Sequence, residues 1–254
     1  MNTYALKFLL CSYFGIALNS EEDWIIDTCI NKAYEDATNQ GAFNALIAKN
    51  DIESKELVSQ AKEKAKEEIL QPLIQKILTN SLLEEGWHKK ACTDICEVFN
   101  KEKKIRCKNR DSAFTIGNAQ KWVNMTFKYL YLIAVAFQEL EETRNKGWVK
   151  NVVEKSEKFH VPVDSYILQK LKKAGEKNVK GRGEEYYYVD AADNDKKTWS
   201  SIDRYDLYEE IQRKIADSVP KEYSNKNILE WENDAWIEMA LIRKERKRRL
   251  KSNG

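Results

Sequence analysis

Apolar and polar residues alternate along most of this chain with the period of an amphipathic α-helix. The longest apolar stripe runs through residues 118–142, where helical spacing is kept by Trp122, Met125, Tyr129, Leu132, Ile133 and Ala136. Only three Pro and nine Gly are available to interrupt such elements. The pattern therefore predicts an all-α fold. One exception is EEYYYVD at residues 184–190, which predicts a short β-hairpin.

The length of 254 residues is enough to bury a large core, and we expect a single helical domain with two lobes. We place the helices of the predicted site at about 81–172, and an accompanying lobe at 1–80 and 173–254. Within residues 53–79, Pro72 predicts a kink or a break. The apolar residues 1–18 lack a basic start and a small-residue cleavage site. They predict a buried first element rather than a signal peptide.

The five cysteines are an odd number, scattered mostly through apolar segments. This usage predicts reduced thiols in a cytoplasmic protein, and no segment approaches a membrane-spanning length. His88, Cys92 and Cys96 follow one another at intervals of four, on one helical face, as zinc ligands can do. Because the trio lacks a convincing fourth ligand, we expect buried thiols, no metal and no other cofactor.

The net charge of +2 conceals two basic blocks. Residues 243–251 (RKERKRRLK) carry a net charge of +6, which leaves −4 for residues 1–242. The second block precedes the long apolar helix and contains Lys101, Lys103, Lys104, Arg106, Lys108 and Arg110. Basic blocks of this kind attract polyanions, although many are only solvated surface.

A glycine turn opens the long apolar helix at residues 115–121 (TIGNAQK). Backbone N–H groups at the start of a helix converge at the positive end of its dipole, where they bind phosphate whatever the base sequence. We therefore predict that Gly117, Asn118 and Ala119 bind a DNA backbone together with the upstream basic block. The alternative is an ordinary turn between helices.

Two charged side chains near this turn are candidates for catalysis. Lys121 lies one turn into the helix beside Trp122, and a desolvated amine in such a place can act as a nucleophile, whereas an ordinary lysine there points to water. Pro162 makes the residue before it extended, so that Asp164 begins the next helix as an N-cap.

The segments TIGNAQK and HVPVD together resemble the helix-hairpin-helix DNA glycosylase superfamily, and especially its 8-oxoguanine glycosylase and lyase branch. The family hairpin has the pattern apolar-Pro-Gly-apolar-Gly-x-Lys. Here Gly117 and Ala119 take the two glycine positions and Ile116 takes the proline position. The resemblance covers about residues 100–172, and the 43 positions from Lys121 to Asp164 exceed the usual separation.

The resemblance implies a helical bundle that flips a damaged base, such as an oxidised purine, out of DNA. It assigns Lys121 to attack on C1′ through a Schiff base, and Asp164 to stabilising the cation that develops on the sugar. Aromatic candidates for the base pocket are Trp199, Tyr186, Tyr187 and Tyr188. We expect a monomer that binds DNA. The alternatives are a non-catalytic helix-hairpin-helix nucleic-acid-binding module and a helical protein-interaction or toxin-like domain.

Overall fold

The computed structural model describes residues 3–38, 51–101, 114–178, 198–223 and 226–252. Within these ranges every regular element is a helix, which confirms the all-α class. The α-helices are α1 (Thr3–Leu9), α2 (Glu22–Thr38), α3 (Ile52–Ala65), α4 (Gln71–Leu78), α5 (Trp87–Asn100), α6 (Ile116–Gln138), α7 (Gly147–Lys155), α8 (Ser165–Asn178), α9 (Tyr205–Ser218) and α10 (Ile228–Ser252). The hairpin predicted at 184–190 lies outside the described residues.

Helix α6 is the centre of the fold. Its side chains are apolar on nearly every side, which is the pattern of a helix surrounded by others. It packs most extensively against α2, and also against α5, α7, α9 and a 3₁₀ turn at Trp199–Ser201. The Thr115 hydroxyl caps its first turn by accepting a hydrogen bond from the Asn118 N–H at 3.2 Å. Residues from both predicted lobes share one cluster of buried apolar side chains with α6.

Pro72 does not end the helical run at 52–78. A π-helical turn, Lys66–Leu70, connects α3 to α4 and places Pro72 in the first turn of α4. A proline is tolerated in a first turn because the missing N–H has no partner to lose there. The break predicted at this proline is thus replaced by a local widening of the helix.

The first element is less buried than the sequence predicts. Helix α1, which continues as a π-helical turn at Leu10–Phe14, buries Leu6 and Leu10. Tyr4 and Phe8 on its other side are 83% and 69% exposed. The element has apolar residues all round but contacts the core along one side only. Among the helices of the described ranges, none is long and apolar enough to cross a membrane.

The basic block at 243–251 continues α10 without interruption to Ser252. This helix has 25 residues and is therefore roughly 37 Å long. Its first half packs on α8 and on the core, where Leu229, Trp231 and Ala235 are buried. The basic block accordingly has a fixed direction relative to the core.

Candidate active site

Residues 160–163, which belong to no regular element, are held against α6 by side chains. The Gln120 amide accepts from the Val163 N–H at 3.2 Å and donates to the Val163 carbonyl at 2.9 Å. One turn later, Asn124 Nδ2 donates to the Val161 carbonyl at 3.0 Å. Gln212 of α9 bonds both backbone groups of Val161 from the other side. Buried backbone groups require such partners, and these bonds fix where Asp164 begins α8.

Asp164 divides its two carboxylate oxygens between two tasks. Oδ1 accepts from the backbone N–H groups of Tyr166 at 2.9 Å and Ile167 at 3.1 Å, which confirms the predicted N-cap. Oδ2 accepts from the Trp236 indole N–H of α10 at 3.2 Å. The second oxygen also lies 3.6 Å from the Lys121 ammonium. The carboxylate is thus held rigidly beside the amine.

The Lys121 side chain is 12% exposed and lies between an aromatic ring and a carboxylate. Its Nζ is 4.5 Å from the ring centroid of Trp199, which is a cation–π contact. Trp122, which the sequence predicts as the desolvating neighbour, instead points into the core and donates to the Ile30 carbonyl. Consecutive residues of a helix point in different directions, and Trp199 therefore supplies the desolvation from a distant part of the chain.

A second ion pair lies on the same face of α6. Lys128, seven residues after Lys121, bonds the Glu232 carboxylate of α10, and both residues are buried. Burial raises the pKa of Glu232, and the nearby Asp164 charge acts in the same direction, while Lys128 and Lys121 oppose them. Glu232 and Trp236 are one turn apart on α10, so the same helix contacts both ion pairs.

The two ion pairs line one cavity of about 880 Å³, which lies between α1, α6, α8 and α10. Its polar part includes Lys121, Asp164, Lys128, Glu232, Asn233 and Arg243. Its aromatic walls are Tyr13, Phe14, Tyr129, Tyr166, Trp199 and Trp236. Volumes of roughly 300–1,000 Å³ with a few convergent polar groups are typical of ligand sites. In such a cavity an amine can attack an electrophilic carbon. A fixed carboxylate beside it can stabilise a cation that develops there.

The structure corrects the phosphate-binding role predicted for the glycine turn. The Gly117 N–H donates to the Ile202 carbonyl at 2.8 Å, and the Ala119 N–H donates to the Thr115 carbonyl at 3.0 Å. The Asn118 N–H is capped by Thr115, and its side-chain amide donates to the Ala37 carbonyl at 3.1 Å. Because all three N–H groups have internal partners, they do not converge on an external phosphate.

Gly117 instead makes room for the segment that carries Trp199. A Cβ built at Gly117 would lie 2.0 Å from the Trp199 carbonyl oxygen, closer than any van der Waals contact. We expect Gly117→Ala to lower the free energy of unfolding by about 2 kcal/mol, the usual cost of overpacking, and the melting temperature by roughly 4–8 °C. Gly147→Ala is the matched control, since its Cβ would meet nothing within 4 Å. Equal melting temperatures for the two variants would contradict this packing.

Several predicted DNA contacts fall outside the described residues. These are Lys103, Lys104, Arg106, Lys108 and Arg110 of the basic block at residues 101–110, and Tyr186, Tyr187 and Tyr188 of the predicted base pocket. Of the predicted aromatic set, the described residue Trp199 lies in the cavity wall. The structure thus brings together Lys121, Asp164 and Trp199 from three distant segments.

His88 and Cys92 belong to a buried hydrogen-bond network. Because Asn124 Oδ1 can only accept, the His88 ring donates to it through Nε2 at 2.7 Å, and Nδ1 lies 2.9 Å from the Tyr205 hydroxyl. The ring stacks on His160 with centroids 4.1 Å apart. The described residues contain no cluster of three metal-binding side chains. The expectation of a zinc-free protein stays a prediction that metal analysis can check.

The stacked histidines predict acid sensitivity. Burial lowers the pKa of His160 from 6.5 to about 4, and it lowers the pKa of His88 as well, with the nearby His160 adding to the effect. Below pH 6.5 the unfolded chain therefore binds protons that the folded protein does not bind. The free energy of unfolding decreases as the pH is lowered through this range. We expect His160 to lower the free energy of unfolding by about 3 kcal/mol between pH 6.5 and pH 4.

Urea unfolding of the parent and of His160→Asn over this pH range measures the effect. The side chains in contact with His88 and His160 do not change charge between pH 4 and pH 6.5. These side chains are Trp87, Cys92, Asn124, Tyr205 and Tyr208. The variant should lose stability more slowly on acidification. Parallel curves for the two proteins would exclude His160 as a source of the acid sensitivity.

Sequence patterns did not identify four residues that build the site: Gln120, Lys128, Glu232 and Trp236. Lys128 carried a usable signal, since it is one of two cations in the most apolar helix and lies two turns after the other, Lys121. The other three gain their roles from partners 43 to 104 positions away.

Comparisons with models of known protein families, with curated proteins and with solved structures give no match to this chain.

Proposed function

We propose that this protein is a DNA glycosylase with lyase activity that removes a damaged base such as an oxidised purine. The observation that supports it best is the Lys121–Asp164 pair, with Nζ 3.6 Å from Oδ2 in the wall of a cavity beside Trp199. A glycosylase that uses a lysine Schiff base needs an amine and a carboxylate at one cavity. These two groups meet that need although 43 positions separate them in the chain.

The proposed reaction begins when Lys121 gives up one ammonium proton and its amine attacks C1′ of the damaged nucleotide. The C–N glycosidic bond breaks, and the base leaves with the bonding electron pair and takes up that proton. The Asp164 carboxylate stabilises the positive charge that develops on the sugar. Loss of a proton from nitrogen and opening of the sugar ring give the Schiff base. Removal of a C2′ proton then expels the 3′ phosphate by β-elimination and nicks the strand.

The cavity suits a nucleotide that has left the DNA stack. Its aromatic walls can stack on a flipped base, which replaces the stacking that the base had in the duplex. Trp199 also packs over the Lys121 ammonium and limits the access of water to it. A water-poor site strengthens the electrostatic effect of Asp164 on the developing cation.

Helix α10 gives the cavity a basic approach. Arg243 lines the cavity and contacts Tyr166, and the basic block continues along the same helix. Cations along a fixed element at a cavity mouth would attract the phosphates on either side of a flipped nucleotide. In this proposal the basic residues of α10 bind the DNA phosphates, a role that the buried turn at Gly117 cannot perform.

Borohydride trapping tests the proposal. Purified protein is mixed with duplexes that contain one damaged base, or one abasic site, and is treated with borohydride to reduce a Schiff base to a stable amine. We expect a covalent protein–DNA species with both duplexes. DNA binding without any cross-link would favour the non-catalytic binding module, and no salt-dependent binding would favour a protein-interaction domain.

The basic block at residues 243–251 should set the salt dependence of DNA binding. Replacing Lys244, Arg248 and Arg249 by Gln should weaken binding, and it should make the slope of log K against log salt shallower by up to about 0.9 for each phosphate that these side chains neutralise. The Arg243 side chain stays in place in this variant, so base excision at saturating protein should persist. A slope equal to the parent's would mean that the block is only solvated.

A further inference from the structure

The Lys128–Glu232 pair occupies a position that stability alone does not explain. The two residues are 7% and 1% exposed, and the pair lies in the cavity wall. Removing two charges from water costs several kcal/mol, and replacement of buried ion pairs by apolar residues is often neutral or stabilising. A buried pair that faces a cavity is therefore better explained by a ligand than by the fold.

Each member of the pair keeps hydrogen-bonding capacity. An ammonium has three N–H donors and a carboxylate accepts through two oxygens, while the contact between them joins Lys128 Nζ to Glu232 Oε2. The cavity thus presents a donor and an acceptor side by side. A ligand that satisfies both must offer an acceptor to Lys128 beside a donor to Glu232.

The pair also has a fixed relation to Lys121 and Asp164. Lys121 and Lys128 are two turns apart on α6, or roughly 10 Å along its axis. Glu232 and Trp236 are one turn apart on α10, and Trp236 donates to Asp164. A nucleotide whose sugar lies at Lys121 would have its base directed along the cavity, within reach of the second pair.

We propose that Lys128 and Glu232 are specificity-determining residues that recognise a lactam edge, a ring N–H beside a C=O, on the flipped base. The inference rests on the proposed glycosylase function and names its substrate class. The Lys128 ammonium donates to the carbonyl oxygen and the Glu232 carboxylate accepts the ring N–H. Deamination and C8 oxidation of bases both create such an edge, whereas alkylation of the ring nitrogen removes its donor. The cavity therefore selects deaminated or oxidised bases over N-alkylated ones.

The test compares excision with trapping. Duplexes carry uracil, hypoxanthine or 8-oxoguanine, and matched duplexes carry 3-methyluracil or 1-methylhypoxanthine, in which methylation blocks the ring N–H. The double variant Lys128→Met/Glu232→Leu removes both charges together, so that no buried charge is left without its partner and the net charge is unchanged. The double variant Lys66→Met/Asp27→Leu is the control, because it removes an ion pair that lies outside the cavity.

We expect the parent to excise at least one lactam base and to excise its methylated counterpart at least about 100-fold more slowly. The cavity variant should lose about 100-fold or more in excision. Its loss of trapping on abasic DNA should be far smaller than its loss of excision, because no base is present there. The control pair should change neither rate. Melting temperatures establish that both variants are folded.

The remaining outcomes separate the two proposals. Abasic trapping without excision of any lactam base overturns the recognition of this edge and leaves the Lys121 chemistry standing. Excision of a methylated base at the rate of its parent base also overturns it, as does a folded cavity variant that excises at nearly the parent's rate. If the parent neither traps nor excises, the glycosylase function fails and the recognition proposal fails with it.

Discussion

Lys121→Gln is expected to abolish borohydride trapping and strand nicking while leaving DNA affinity close to that of the parent. Glutamine has no nucleophilic amine, so no Schiff base can form. Its side-chain amide can still donate toward Asp164, and the Trp236 indole N–H continues to bond the same carboxylate. The loss should therefore be chemical rather than structural, with the melting temperature nearly unchanged. Gel-resolved cross-linking on abasic and damaged duplexes measures the effect.

Lys150→Gln is the matched control for this substitution. It removes the same charge from an exposed side chain of α7, outside the cavity. The control should trap DNA like the parent. If Lys121→Gln still formed the cross-link, another amine would be the nucleophile. If it excised bases at the parent's rate but did not nick the strand, water would be the nucleophile of a glycosylase without lyase activity.

Asp164→Asn should slow base release by about 10²–10³ or more, the size found when one group that stabilises transition-state charge is removed. The Asn side-chain oxygen can accept from the Tyr166 and Ile167 N–H groups as Oδ1 does, and Asn caps helices about as well as Asp. The amide nitrogen, however, would face the Trp236 indole N–H and the Lys121 ammonium, and all three are donors. The variant loses the negative charge where the proposed cation develops. Single-turnover excision measures the change.

The chain offers a close control in Asp51, which caps α3 by accepting from the Ser54 N–H. Asp51→Asn makes the same chemical change at a cap outside the cavity, and should affect neither excision nor folding. Both variants are compared by helical circular dichroism and melting temperature. Excision by Asp164→Asn at the rate of the Asp51→Asn control would reduce Asp164 to a structural cap.

Local sequence signals predicted the parts of the site that depend on neighbouring residues. The segment at residues 162–164 encodes a helix cap at Asp164, and this cap is present. The α6 stripe encodes a buried helix because its period can be counted directly. These features need no knowledge of the rest of the fold.

The role of Gly117 could not be predicted from such signals. A glycine at a helix start looks the same whether its N–H meets a phosphate or a carbonyl of its own chain. The partner here is Ile202, 85 positions away, and only the folded chain brings it there. The pairing of Lys128 with Glu232 is likewise set by the packing of α10. Partners separated by such distances leave no periodic trace in the sequence.

Gln120 and Asn124 fasten residues 161–163 to α6 directly, and this has a consequence for how the protein tolerates change in length. Helix α7, in the intervening chain, packs against α4 and α6 and takes no part in the cavity. The spacing between Lys121 and Asp164 is therefore not a geometric parameter of the site. Insertions or deletions in the turn at residues 139–144 could lengthen or shorten that connection over evolutionary time, while two amide side chains keep the charged groups in register.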